Sequence, residues 1–128
     1  QQKFQSNKEI NIEALNYPSS DEEFMQKSIL IVEQYLMDSE FDVADFAEKL
    51  NLSKSTLYRK IKTITGLSPV EFIRNIRLKH ACKILKKQSL HIAEVAYAVG
   101  FSDPNYFTLC FKAQFNITPT DYRKSEQN

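Results

Sequence analysis

Two short stretches carry side chains whose types and spacing suit contact with a nucleic acid. In the first, Ser55, Tyr58, Arg59 and Lys62 recur at intervals of three and four, while Leu57, Ile61 and Ile64 fall on the opposite side of the same helical wheel. Arg59 carries the planar fork that pairs with O6 and N7 of guanine, a contact worth about 1–3 kcal/mol of base discrimination. Lys54, Thr56, Lys60 and Lys62 suit phosphate oxygens, which position a protein without reading sequence. In the second stretch Phe107, Phe111 and Phe115 form the inner face, and Asn105, Thr108, Leu109 and Lys112 face outward. Asn105 can pair with adenine, Leu109 offers only an apolar surface for a thymine methyl, and Thr108 and Lys112 suit phosphates. With a single cation, this second helix is expected to discriminate bases less than the first.

The residues that catalyse reactions or hold metals have no comparable arrangement. His80 and His91 lack a carboxylate at a useful spacing, and His80 and Cys82, two apart, fall on different faces of a helix. Cys82 and Cys110 belong to neither a CxxC nor a Cys/His ligand pattern and read as small core or near-core thiols of a reducing compartment. Glycine-rich phosphate loops are absent. The chain is expected to have no catalytic residues, no metal and no cofactor.

The two stretches sit at equivalent places in an internal repeat. Val43-Ala44-Asp45-Phe46-Ala47 matches Ile92-Ala93-Glu94-Val95-Ala96 at an offset of 49. Ile61-Lys62 matches Phe111-Lys112, Ser68-Pro69 matches Thr118-Pro119 and Phe72 matches Tyr122, all at an offset of 50. One extra residue therefore enters the second copy, in the turn around Ser102 to Asn105. Each copy reads as helix, tight turn, helix. Asp42 caps the first helix of copy one, whose Val43, Phe46, Ala47 and Leu50 face inward. Asn51 or Gly100 supplies a left-handed residue at the corner. Leu52 or Phe101 plugs that corner, and Ser53 or Asp103 caps the next helix. This is the helix-turn-helix pattern, and two copies with the same corner chemistry are far more specific than one. A charged helix face is usually only solvated; the repetition is what favours DNA.

The remaining elements must hold these two units together. Ser20 with Glu23 forms a capping box for a helix to about Asp38, with Phe24, Ile31, Val32, Tyr35 and Leu36 on one face. Gly66 ends the helix of the first stretch, and Ser68-Pro69-Val70-Glu71 starts a long central helix to about Lys87, roughly 27 Å at 1.5 Å per residue. Phe72, Ile73, Ile76, Ala81, Ile84 and Leu85 supply its contacts to both copies, and Arg74, Arg77, Lys83, Lys86 and Lys87 are expected to form an exposed basic surface. Successive major grooves on one DNA face lie about 34 Å apart, a separation such a helix and the widths of the units can span. Two glycines and four prolines in 128 residues argue against a many-turned β fold. The expected class is all-α: two tandem helix-turn-helix subdomains (20–66 and 90–124) joined by a central helix (68–87), with 1–19 a linker or arm and 20–128 the DNA-binding domain. Residues 1–40 hold three basic and eight acidic side chains and residues 41–128 hold fourteen and eight, so a net charge of +1 hides a basic globular part behind an acidic lead-in. No signal peptide or span-length apolar run is apparent, so a cytoplasmic location without membrane contact is expected. The absent starting Met suggests an excised piece of something larger.

Over residues 40–124 the sequence resembles the C-terminal DNA-binding domain of AraC/XylS-type transcription regulators. The motif is carried by Ile92-Ala93-Glu94-Val95-Ala96, Val99-Gly100-Phe101, Asp103-Pro104-Asn105-Tyr106-Phe107, Phe111-Lys112, Thr118-Pro119 and Tyr122-Arg123. In the first copy it is carried by Ser53, Leu57, Arg59, Lys62, Gly66, Ser68-Pro69, Phe72, Arg74 and Arg77-Leu78. The resemblance implies seven helices, one recognition helix from each subdomain in successive major grooves, and transcription activation with RNA polymerase as a partner. It places the base readers at Ser55, Tyr58 and Arg59 and at Pro104, Asn105 and Leu109. Three departures stand out: Leu109 replaces a usually basic residue, Asn116 replaces the glycine matching Gly66, and His91 replaces a serine or threonine cap. A neutral imidazole can still accept a hydrogen bond there. The lead-in Ser20-Asp21-Glu22-Glu23-Phe24 and residues 59–74 are most similar to output domains of hybrid two-component regulators, which implies sensor and receiver domains upstream in the parent chain. The tandem units imply an asymmetric pair of boxes in double-stranded DNA. The rival from another class is a helical module that seats an acidic protein segment without base readout; steep salt dependence and sequence preference separate the two.

Overall fold

The computed structural model describes residues 19–87 and 89–126. Seven helices and no strand occur among them: α1 (Ser20–Gln34), α2 (Val43–Lys49), α3 (Lys54–Thr65), α4 (Pro69–Lys87), α5 (Ile92–Ala98), α6 (Pro104–Phe115) and α7 (Pro119–Glu126). The all-α, two-unit architecture expected from the repeat is what forms. The linker expected at residues 1–19 lies outside the described residues except for Ser19.

Ser19, not Ser20, caps α1. Its hydroxyl accepts from the Glu22 amide at 3.2 Å, and its own amide donates to the Glu22 carboxylate at 2.8 Å. The run Ser-Ser-Asp-Glu-Glu permits the box in two registers. The earlier one adds a helical hydrogen bond, from the amide of Glu23 to the carbonyl of Ser19 at 2.9 Å. α1 also stops at Gln34, four residues before the expected Asp38. The chain turns there because Tyr35 stacks on Phe41, with ring centroids 4.9 Å apart, and the amide of Asp38 closes onto the carbonyl of Tyr35 at 3.1 Å.

The two units share one hydrogen-bond register. The amide of Leu52 donates to Ala47 at 3.0 Å, and that of Phe101 to Ala96 at 2.9 Å, across the corner. Asn51 and Gly100 take the left-handed conformation at φ 58° and 90°. Gly66 and Asn116 do the same at the ends of α3 and α6, each donating to the lysine four residues back at 2.8 Å. Asn116 therefore makes the same left-handed cap as Gly66. Ser102 is the inserted residue, because the offset is 49 at Phe101 and 50 at Asp103. At the start of α5 the amide of His91 donates to the Glu94 carboxylate at 2.9 Å, so the glutamate half of that cap is in place.

Each unit has its own core. In the first, Val32, Phe41, Phe46, Leu57, Ile61, Phe72, Ile73 and Ile76 are buried together, with Phe46 and Phe72 stacked at 5.9 Å. In the second, Leu78, Ala81, Leu85, Val95, Val99, Phe101, Phe107 and Phe111 are buried, and Tyr122 stands edge-on to Phe111 at 5.7 Å. Tyr122 on α7 thus does for the second core what Phe72 on α4 does for the first. Burial of each such side chain contributes about 1.5–3 kcal/mol. The 19-residue α4 lends its first half to one core and its second half to the other.

The expected basic surface of α4 needs one correction. Lys83, Lys86 and Lys87 are exposed and Arg74 is partly so, but Arg77 is buried, with 6% of its surface accessible. Its periodic position on the helix lies at the seam between the cores, where the backbone carbonyls of Leu36, Asp38 and Val99 receive its guanidinium. Burial pulls the Arg77 pKa down from its ordinary value, and Asp38 opposes the shift. An arginine remains charged under such conditions.

Candidate nucleic-acid interface

α3 is held from below by Leu57 and Ile61, both fully buried. Ser53 fixes its start: its hydroxyl accepts from the Thr56 amide at 3.2 Å and donates to the Thr56 hydroxyl at 3.0 Å. On the outer side Ser55, Tyr58, Arg59 and Lys62 are exposed together, with Tyr58 half accessible at 50%. Lys54, at the first position, is exposed at the positive end of the helix dipole. α3 carries four cations and no acid. The sequence-derived set is therefore on one surface, with two refinements. Thr56 is half-buried and engaged by Ser53, and Lys60 lies on the flank, its ammonium 5.0 Å from the centre of the Phe24 ring.

α6 repeats the geometry with different chemistry. Asp103 caps it by accepting from the Asn105 amide at 2.9 Å, and Pro104 occupies the first position. Phe107 and Phe111 are fully buried below, while Asn105, Leu109 and Lys112 are exposed and Thr108 is half-buried. Leu109, at the position of Arg59, is 69% accessible. Lys112 is the helix's one cation.

The structure adds a residue that sequence reasoning missed. Tyr106 is 49% exposed on α6, lies against Phe101 at 6.1 Å, and its hydroxyl accepts from Arg74 of α4 at 3.5 Å. A contact 32 residues apart leaves no mark in the sequence. Arg74 and Tyr106 share a cleft of about 490 Å³ with Phe41, Val70 and Ser102.

A second correction concerns His80. Its Nε2 lies 2.8 Å from a carboxylate oxygen of Glu33, so a histidine–carboxylate pair does exist, between α4 and α1. The partners are 47 residues apart and come together only because α1 packs on α4. Cys82 and Cys110 are free and partly buried, and burial pushes the Cys82 thiol up from its ordinary pKa. Among the described residues no group of three or more His, Cys, Asp or Glu side chains is placed to hold a metal ion, and no helix is long and apolar enough to cross a membrane.

With the two exposed helices and their shared scaffold established, comparison with known proteins decides the family. A helix-turn-helix domain family matches residues 46–125, which spans both units, and the Mga helix-turn-helix domain family matches residues 21–68. The chain belongs to the AraC-type family of helix-turn-helix DNA-binding transcription regulators. This AraC-type domain is 41% identical over 127 residues to "Histidine kinase P4" of Formosa agariphila, covering 98% of this chain and 9% of the kinase. It is 38% identical over 78 residues to the HTH-type transcriptional activator RhaS of Escherichia coli, covering 61% of this chain and 28% of the activator. Among solved structures, the C-terminal domain of the two-component response regulator yesN from Fusobacterium nucleatum superposes with a TM-score of 0.71 at 34% identity, covering 82% of this chain and 99% of that one. The chain thus spans under a third of these two curated relatives and nearly the whole of the solved output domain. In AraC-type terms α3 and α6 are the second helices of the two helix-turn-helix units.

Proposed function

We propose that this domain binds double-stranded DNA with α3 and α6 in successive major grooves on one face. Ser55, Tyr58 and Arg59 read the first box; Pro104, Asn105 and Leu109 read the second. Lys54, Thr56, Lys60, Lys62, Thr108 and Lys112 contact phosphates, Lys60 by leaving the Phe24 ring. The observation that carries the reading is the equivalence of the two helices. Each begins at a side-chain cap, ends at a left-handed residue 50 positions from its counterpart, and projects its outward residues from the same turns. The difference between Arg59 and Leu109 makes the boxes unequal: the first takes a guanine edge, the second an apolar contact of the kind a thymine methyl offers.

The parent protein is proposed to be a hybrid two-component regulator whose sensor and receiver segments precede this domain, acting in the cytoplasm. The likeness to a histidine kinase and to a response-regulator output domain supports this. This segment's own role is proposed to be transcription activation through RNA polymerase, with no catalytic step. Hydroxyl-radical footprinting on a bound duplex tests the binding mode. Two protected tracts about 10 bp apart on one face are expected, weakening steeply between 50 and 200 mM salt as counterions are released. Protection confined to one tract would contradict insertion of both helices.

A further inference from the structure

Arg77 sits where the two units meet, and its contacts divide between them. Its Nη1 donates to the carbonyl of Leu36 and to the carbonyl of Val99, each at 3.2 Å, and its Nη2 donates to the carbonyl of Asp38 at 3.0 Å. Leu36 and Asp38 lie in the turn that follows α1, in the first unit, and Val99 ends α5, in the second. A single nitrogen thus bridges both. No helix of the first unit packs extensively on a helix of the second; α1 and α3 of the first and α5 and α7 of the second pack on α4. The carbonyls at a helix C-terminus carry partial negative charge, and Val99, which ends α5, brings one of them to this cation beside the two turn carbonyls of Leu36 and Asp38. Close approach is enforced as well: a Cβ on Gly100, next to Val99, would fall on the Arg77 guanidinium and the carbonyl of Leu36. At 6% exposure Arg77 has no access to DNA.

We propose that Arg77 is a positioning residue that locks α1 to α5 across the middle of α4 and so fixes the angle between the two recognition helices. Lysine cannot replace it, because an ammonium is a point donor and lacks the planar fork that reaches three carbonyls at once. Residual dipolar couplings of the isolated chain in a dilute aligning medium read that angle without DNA. The wild-type couplings of both units should fit one alignment tensor, whereas those of Arg77→Met and Arg77→Lys should need two, with both cores still folded by amide chemical-shift dispersion. A single shared tensor in both variants would overturn the proposal. So would rescue by lysine, which would make charge alone sufficient. So would global unfolding of both variants, because Arg77 would then hold up the cores themselves and not only the joint between them. On duplexes carrying both boxes or one, linkage of two sites should give the wild type a gain of roughly 10²-fold or more. Arg77→Met should lose most of that gain while keeping its one-box affinity. A wild-type chain that prefers no duplex would strike the DNA reading alone, and the dipolar couplings would still decide the joint.

Discussion

Asn51 and Gly100 make the same left-handed corner in the two units, at φ 58° and 90°, but only Gly100 is pressed against a neighbour. Asn51 is exposed, whereas Gly100 is buried beneath the Arg77 guanidinium. Asn51→Gly should therefore change unfolding free energy by no more than about 1 kcal/mol. Gly100→Ala combines backbone strain with a steric overlap and should cost upward of about 3 kcal/mol. Urea denaturation of the two variants checks the contrast, and equal effects would contradict it.

Arg59 and Leu109 stand at equivalent positions on α3 and α6, so their removal compares the two boxes directly. Arg59→Ala should lower specific affinity by about 1–3 kcal/mol, relax preference at one base pair and leave the fold unchanged. Leu109→Ala should change affinity by less than Arg59→Ala, because a lone apolar contact replaces a bidentate one. Fluorescence anisotropy on a specific duplex and on single-base variants checks both. Unchanged affinity on loss of Arg59 would remove it from the site.

Two helix caps supply a pH dependence. The backbone amide of Asp45 holds the Asp42 carboxyl below its ordinary pKa, and the Ser68 backbone does the same for Glu71. A carboxylate depressed in the folded state contributes stability that is present above its unfolded pKa and lost as pH falls through the folded value. The loss is therefore confined to the acid side of the ordinary carboxylate range. The double variant Asp42→Asn, Glu71→Gln keeps polar caps that do not titrate. Its urea midpoint should fall less than the wild type's between pH 6 and pH 3, and an equal fall would show that other groups carry the acid response.

What was legible in the sequence was local or repeated. Ser53, Asp42 and Ser68 announce helix starts because a cap acts over three residues, and Asn51 with Gly100 announces the corners because few residues accept a left-handed backbone. The outward faces of α3 and α6 followed from spacing alone, since helical periodicity orients a side chain before any tertiary contact forms. Long-range pairings were not legible. Arg77 looks like one more surface cation of a basic helix until Leu36, Asp38 and Val99 are brought beside it from 22 to 41 residues away. The pairing of His80 with Glu33 and that of Arg74 with Tyr106 were hidden for the same reason. Where two registers were equally good locally, as at Ser19 and Ser20, periodicity could not choose between them.

Two unequal recognition helices are proposed to read two boxes in tandem. Selection from a randomised duplex library with the purified chain, at low and moderate salt, decides between this arrangement and its alternatives. An asymmetric site of two enriched boxes about one helical turn apart is expected, with guanine-containing, higher information content in the box bound by α3. A palindromic site, boxes of equal information, or salt-sensitive retention with no enriched sequence would contradict it.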